Sequence, residues 1–221
     1  MKNNKSLFWD TIRIFSQNDI LTYVILIGSW VEYIYEVSNY FKSFKASLKT
    51  KDVDFLIKNI RKPNYKINIV SILEKEGYLV DIDYISEIFK FYKDKDLEIE
   101  FLVREIGKGQ SEPYDVISFG IKAEGLRNTD ILVNNVLCLK VRNFYINVPT
   151  PQAYVLQKMI ISDQRKNKAE KDYLGIENLL DHIKESSVEL HKLRNLYNEL
   201  SKKQRKKVDE FCKINVIELF R

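Results

Sequence analysis

The chain has 221 residues, 45% of them hydrophobic and 12% aromatic, which excludes a disordered or low-complexity chain and provides for one ample core or two small ones. Against 31 Asp and Glu stand 36 Lys and Arg, a formal charge of +5 that allows a phosphate-bearing partner without demanding one. The two cysteines, Cys138 and Cys212, are too far apart for a metal-ligand spacing and too few for a disulfide framework. Their apolar neighbours predict reduced core residues of a cytoplasmic protein.

At the start of the chain Asp10 and Arg13 arrive too soon for the apolar run of a signal peptide, and no later stretch reaches membrane-spanning length. A cytoplasmic chain with no membrane partner is expected. Leu7, Phe8, Ile12 and Phe15 recur close to helical spacing, which predicts a helix over 6–18 with Ser6 as N-cap. LTYVILIG then reads as a buried strand ending at Gly28, and SWVEYIYEVSNYF as an aromatic helix with Ser29 at its beginning. Its aromatic residues read as packing surface. TKDVDFLI (50–57) is the next strand, KINIVSILEKEGYLVDID a helix, a break at Gly77 and a return strand, and LEIEFLVREI another strand. LCLKVRNFYINV alternates well enough for one further strand. From PTPQAYVLQKMI onward the period becomes helical: Pro149 and Pro151 punctuate the change, and Val155, Leu156, Met159 and Ile160 make one apolar face. Tyr173, Ile176, Leu180 and Ile183 make another. The expected organisation is a mixed-sheet unit over 1–148 and a helical unit over 149–221, packed together as one body.

Asp52 and Asp54 raise the chemical question. Side chains two apart on a strand share a face, and two like charges there are unfavourable unless something positive lies between them. Asp-x-Asp is common in exposed coil, but Val53, Phe55, Leu56 and Ile57 argue for a buried strand, where acids require a partner. Paired carboxylates suit Mg²⁺, which takes oxygen ligands and keeps water and phosphate in its shell. A Gly-Ser turn at a helix start offers backbone N–H groups to phosphates. A third acid from another strand, Glu98 or Glu100, would complete a two-metal site. Lys168 and Asp172 also read as an ordinary i,i+4 ion pair, and His182 and His191, remote from acid or cysteine clusters, as surface residues. In SKKQRKK (201–207), Ser201 and Gln204 have capping-box spacing; the alternative is a contact for a nucleic-acid backbone.

In this order ILIGSW, TKDVDFLI and LEIEFLV resemble the DNA polymerase β-type nucleotidyltransferase superfamily. VPTPQAYVLQKMIISDQRKNKAEKDYLGIENLL is similar to the Lys…Arg…Lys-Asp block of bacterial abortive-infection and type IV toxin nucleotidyltransferases. The resemblance spans Val24 to Leu180. It implies an α+β nucleotidyltransferase fold, a short mixed β-sheet flanked by helices, followed by a C-terminal helical region. It further implies a metal-dependent enzyme that moves a nucleoside monophosphate from an NTP such as ATP to an acceptor hydroxyl of RNA or tRNA, protein or a small molecule, releasing pyrophosphate. Two Mg²⁺ ions are the implied cofactors. Carried over residue by residue, Gly28 and Ser29 would hold nucleotide phosphates, and Asp52 and Asp54 would ligate metal as catalytic residues. Glu100 would be the third acid, chosen over Glu98 because it directly precedes the apolar pair Phe101-Leu102. Lys158 would reach a phosphate, and Asp172 would orient Lys158 or contact base or sugar, with Arg165 and Lys168 on the same helix face. An antitoxin and a second copy of the chain are the protein partners the resemblance allows. The interval from Gly28 to Asp52 is longer than in minimal nucleotidyltransferases. Two competing readings are a non-catalytic nucleotide-binding or regulatory module on the same fold and an antibiotic-type small-molecule transferase.

Overall fold

Alternating apolar runs supply the strands of a mixed sheet in the computed structural model, which describes residues 2–47, 50–105, 112–164 and 169–220. Strands β1 (Val24–Ile27), β2 (Asp52–Ile57), β5 (Leu97–Arg104), β4 (Phe89–Lys93) and β3 (Leu79–Ile82) lie side by side in that order. The long β5 is shared along its free edge: its first half pairs antiparallel with β4, and Leu102 to Arg104 pair parallel with β7 (Ile121–Leu126), which β6 (Tyr114–Val116) flanks. β2 runs parallel to β5 and antiparallel to β1.

One face of this sheet is aromatic. Phe55, Phe91 and Phe101 point to it, and Phe15 of helix α1 (Lys2–Gln17) packs 4.9 Å from Phe55 and 5.8 Å from Phe101 between ring centroids. Helix α1 begins before the expected N-cap. Ser6 lies inside it, because Lys2 to Lys5 continue the turn and the Lys5 ammonium rests 4.5 Å from the Tyr33 ring centroid. The opposite face carries the acids.

Helix α2 (Trp30–Val37) follows the Gly28-Ser29 turn, and its aromatic residues are core: Tyr33 and Tyr35 are buried, as are Phe41 and Phe44 just beyond it. Helix α3 (Ile69–Lys75) leads into β3 as the sequence predicts. Strands β4, β6 and β7 and the short helix α4 (Asp130–Asn134) were not expected. The run expected as a single strand is a hairpin, β8 (Val136–Val141) and β9 (Phe144–Pro149), because Arg142 takes a left-handed turn conformation, φ 55°, at its middle. That hairpin corrects the cysteine reading as well. Cys138, opposite Asn147, is exposed and Cys212 half-buried, so neither is a core residue.

Helix α5 (Pro151–Ile161) opens with the Thr150 hydroxyl accepting from the Ala153 N–H and with Pro151 in its first turn. It is buried on every side from Pro151 to Ile160, because α6 (Ala169–Lys184), α7 (Ser187–Glu199) and α8 (Lys202–Asn215) pack around it together with β9 and α4. Ser201 and Gln204 form the expected capping box of α8. His182 is not simply a surface residue: its ring lies against Phe41 and Phe44.

Candidate functional site

The parallel register of β2 and β5 sets Asp52 opposite Glu98 and Asp54 opposite Glu100, so four carboxylates occupy one patch of one sheet face. Leu102 shares that face, and its β7 partner is Glu124, a further acid along the same wall. These residues line a cleft of about 840 Å³ with Gly28, Lys90, Arg127, Tyr154, Lys158 and Asp163. Of the residues singled out in the sequence, Gly28, Asp52, Asp54, Glu100 and Lys158 line this cleft. Ser29, next to Gly28, is not among its lining residues, and its hydroxyl makes no cap hydrogen bond. Asp172 is buried behind Lys158 and lines a second cavity of about 410 Å³ between α5, α6 and α8. Arg165 and Lys168 lie outside the described residues.

Gly28 is required by geometry twice over. Its φ of +70° belongs to the left-handed region that L side chains rarely adopt, and a Cβ built there would fall on Oδ2 of Asp54. The turn and the carboxylate are therefore in direct contact, with the first turn of α2 immediately after them.

Lys90, which the sequence reading passed over, faces the acids from β4. Its register partner is Glu100, with which it forms an ion pair, and its Nζ lies 3.0 Å from Glu98 Oε1. The Tyr92 hydroxyl reaches the same Glu98 oxygen at 3.4 Å. Burial pushes the Glu100 carboxyl above the usual carboxylate range, opposed by the hydrogen bond and charge of Lys90. The Lys90 ammonium is in turn held protonated further into the alkaline range, chiefly by its bond to Glu100. Sequence did carry a signal for this strand: FKFYK and LEIEF alternate on either side of the polar DKD, a hairpin pattern.

Lys158 is 5% exposed and held from two sides. Its Nζ lies 2.8 Å from Asp172 Oδ1 and 3.9 Å from Glu32 Oε1, and the Tyr154 hydroxyl donates to the same Glu32 oxygen at 2.6 Å. Burial, then the Glu32 charge, push the Tyr154 phenol well above its usual range. Glu32 was missed in the sequence, although a lone acid inside the apolar run WVEYIY is the mark of a buried, partnered carboxylate. Gly175 leaves room for it, since a Cβ there would lie 2.8 Å from Glu32 Oε1. The group ties the first turn of α2 to α5 and α6.

Carboxylates from two strands on a solvent-open wall, beside a turn with no Cβ, are a donor set that suits Mg²⁺ and a triphosphate. Among the described residues no three His, Cys, Asp or Glu side chains already converge as a cage; Glu98 and Glu100 are turned to Lys90.

A family model described as Nucleotidyltransferase matches residues 9–200. No curated protein sequence matches the chain. Among solved structures, the chain is similar to an antigenic nucleotidyltransferase-like protein from Paracoccidioides brasiliensis, with a TM-score of 0.54 at 10% identity over 93% of this chain and 86% of that one. It also aligns with ANT(2")-Ia in complex with adenylyl-2"-tobramycin, with a TM-score of 0.49 at 11% identity over 96% and 99% of the two chains. At these identities the first likeness concerns the fold.

Proposed function

The chain belongs to this nucleotidyltransferase family, and from that premise we propose that it transfers a nucleoside monophosphate from an NTP to an acceptor hydroxyl, using Asp52, Asp54 and Glu100 with Mg²⁺. The observation that carries this reading is the β2–β5 register, which gathers these acids on the cleft wall next to the Gly28 turn. In the transfer, the acceptor oxygen bonds to the α-phosphorus as the bond to the bridging oxygen of pyrophosphate breaks, and the hydroxyl proton passes to solvent. Bound Mg²⁺ supplies charge neutralisation of the phosphates and acidifies the attacking hydroxyl.

The chain's own residues position the reactants. Asp52 and Asp54 supply metal ligands from one strand, and Glu100 supplies the third from its neighbour. The turn at Gly28 and Ser29 offers backbone N–H groups to the outer phosphates. Lys158, fixed by Asp172 and Glu32, presents its charge from the helical side of the cleft. Most of the acceleration is in-line placement and electrostatics.

Two features point to acceptors of opposite charge. Helix α8, whose first turns carry Lys202, Lys203, Arg205 and Lys206, is tied to Asp163 of the cleft lining by a 3.0 Å salt bridge from Lys207, and a basic surface beside the opening favours RNA. The acids Glu98 and Glu124 along the wall favour a cationic hydroxyl compound, the antibiotic-type reading. The Lys158 and Asp172 pair supports kinship with the abortive-infection and type IV toxin enzymes. The test is incubation with each α-³²P-labelled NTP and Mg²⁺, offering total tRNA, cell-extract protein and an aminoglycoside mixture in turn. Label transferred to one class names the acceptor. No label on any class, with wild-type NTP hydrolysis also absent, would favour the non-catalytic module.

A further inference from the structure

Two acid-against-acid cross-strand pairs, Asp52 with Glu98 and Asp54 with Glu100, are an unfavourable arrangement for a β-sheet. Lys90 places one positive charge against them: it is bonded to Glu98 at 3.0 Å and ion-paired with Glu100, from the adjacent strand and on the same face. The three side chains are partly open to the cleft, at 39% for Lys90, 24% for Glu98 and 25% for Glu100. An ammonium and a divalent ion make the same demand on a carboxylate, namely oxygen lone pairs facing a cation. Two cations on one carboxylate repel each other, so a divalent ion at Glu100 weakens the hold of that group on the Lys90 ammonium.

We propose that Lys90 is a tethered counter-cation that holds Glu100 when no metal is bound and competes with divalent metal for it. The charge of an entering metal ion drives the ammonium from Glu100, so Lys90 raises the metal concentration at which the site fills. The opposite role, in which Lys90 orients Glu100 toward the metal, carries the opposite sign: removing it would then weaken metal binding. The inference rests on the metal-site reading of the cleft, and its test separates the two.

The probe is Mn²⁺ alone, titrated into the full chain without nucleotide and followed by the electron paramagnetic resonance of the free ion. Lys90→Met is expected to bind Mn²⁺ about tenfold more tightly, the effect of one unit charge at a partly exposed site. Lys90→Arg, which keeps the charge, is expected to stay within about twofold of wild type. Unchanged or weaker binding by Lys90→Met overturns the proposal. Asp54→Asn tests the premise separately: if that variant binds Mn²⁺ as wild type does, the metal site itself is elsewhere. A readout on the wild-type chain, independent of how the variants fold, is acylation of the Lys90 amine measured by mass spectrometry. The rate is expected to rise on Mn²⁺ addition, and a rate that stays constant or falls at saturating Mn²⁺ refutes the displacement.

Discussion

Replacing Lys158 by Met removes a cation from between two buried carboxylates. At an effective dielectric of about 20, unit charges at the 2.8 Å between Lys158 Nζ and Asp172 Oδ1 attract by roughly 6 kcal/mol, and at the 3.9 Å to Glu32 Oε1 by roughly 4. The desolvation of groups only 5% exposed offsets most of that gain. What the substitution costs is therefore set by the charges left behind: Asp172 loses its ammonium, and Glu32 keeps only the Tyr154 hydroxyl of the bonds described above. Deleting one partner of a buried pair costs about 3–5 kcal/mol. Urea denaturation at pH 7 should show Lys158→Met less stable than wild type by that amount. The double variant Lys158→Met with Asp172→Leu removes both members and should recover about 2 kcal/mol of the loss, a coupling that independent sites do not show. A cost below about 1 kcal/mol, the value of an exposed pair, would mean that water reaches Lys158 and that the buried network does not exist in solution.

Asp52→Asn should abolish transfer while leaving the circular dichroism spectrum and urea midpoint at or slightly above wild type, because it relieves the juxtaposition with Glu98; near wild-type turnover would remove Asp52 from the site. Gly28→Ala combines a left-handed backbone cost of about 1–2 kcal/mol with displacement of the Asp54 carboxylate, so NTP affinity should fall with stability, whereas a loss of stability alone would separate the turn from the site. Alkaline titration tests the packing around α2. Burial first, then Glu189, push the Tyr40 phenol up to about 12, so its folded value exceeds the unfolded value of about 10. A raised folded value stabilises below the unfolded one and is lost as pH rises through the folded one. The urea midpoint should therefore decline from pH 10 towards 12, with a shallower decline in Tyr40→Phe; identical slopes would contradict the assigned burial.

The two strands that build the site were legible because their patterns are unambiguous. DVDFLI and LEIEFLV alternate around apolar cores, so the shared face of Asp52 and Asp54, and of Glu98 and Glu100, followed from strand periodicity. Their parallel pairing did not follow, because register between strands separated by a helix and a hairpin is a tertiary outcome. The same holds for Lys90: its alternation with Phe89 and Phe91 marks a strand, but its contact with two glutamates exists only once β4 folds back on β5. Helix α5 was readable as a helix with one apolar face, yet it is enclosed by four other helices and a hairpin strand, which buries Gln152, Gln157 and Lys158 that a two-sided pattern would place outside. Glu32 was hidden for a related reason, since its partners Tyr154 and Lys158 lie far along the chain. Pro113 and Gly120 stand directly before β6 and β7, but β6 is only three residues long and β7 ends in the weakly patterned EGL, so the punctuation had no clear strand period beside it. The turn at Arg142 has neither Gly nor Pro to mark it.

The most direct test of the central claim is isothermal titration of each of the four NTPs into the purified chain with Mg²⁺, repeated with Asp52→Asn and Asp54→Asn. Metal-dependent binding of at least one NTP, removed by both substitutions, is the expected result. Binding unaffected by the substitutions, or no binding by a folded wild-type chain, would contradict it.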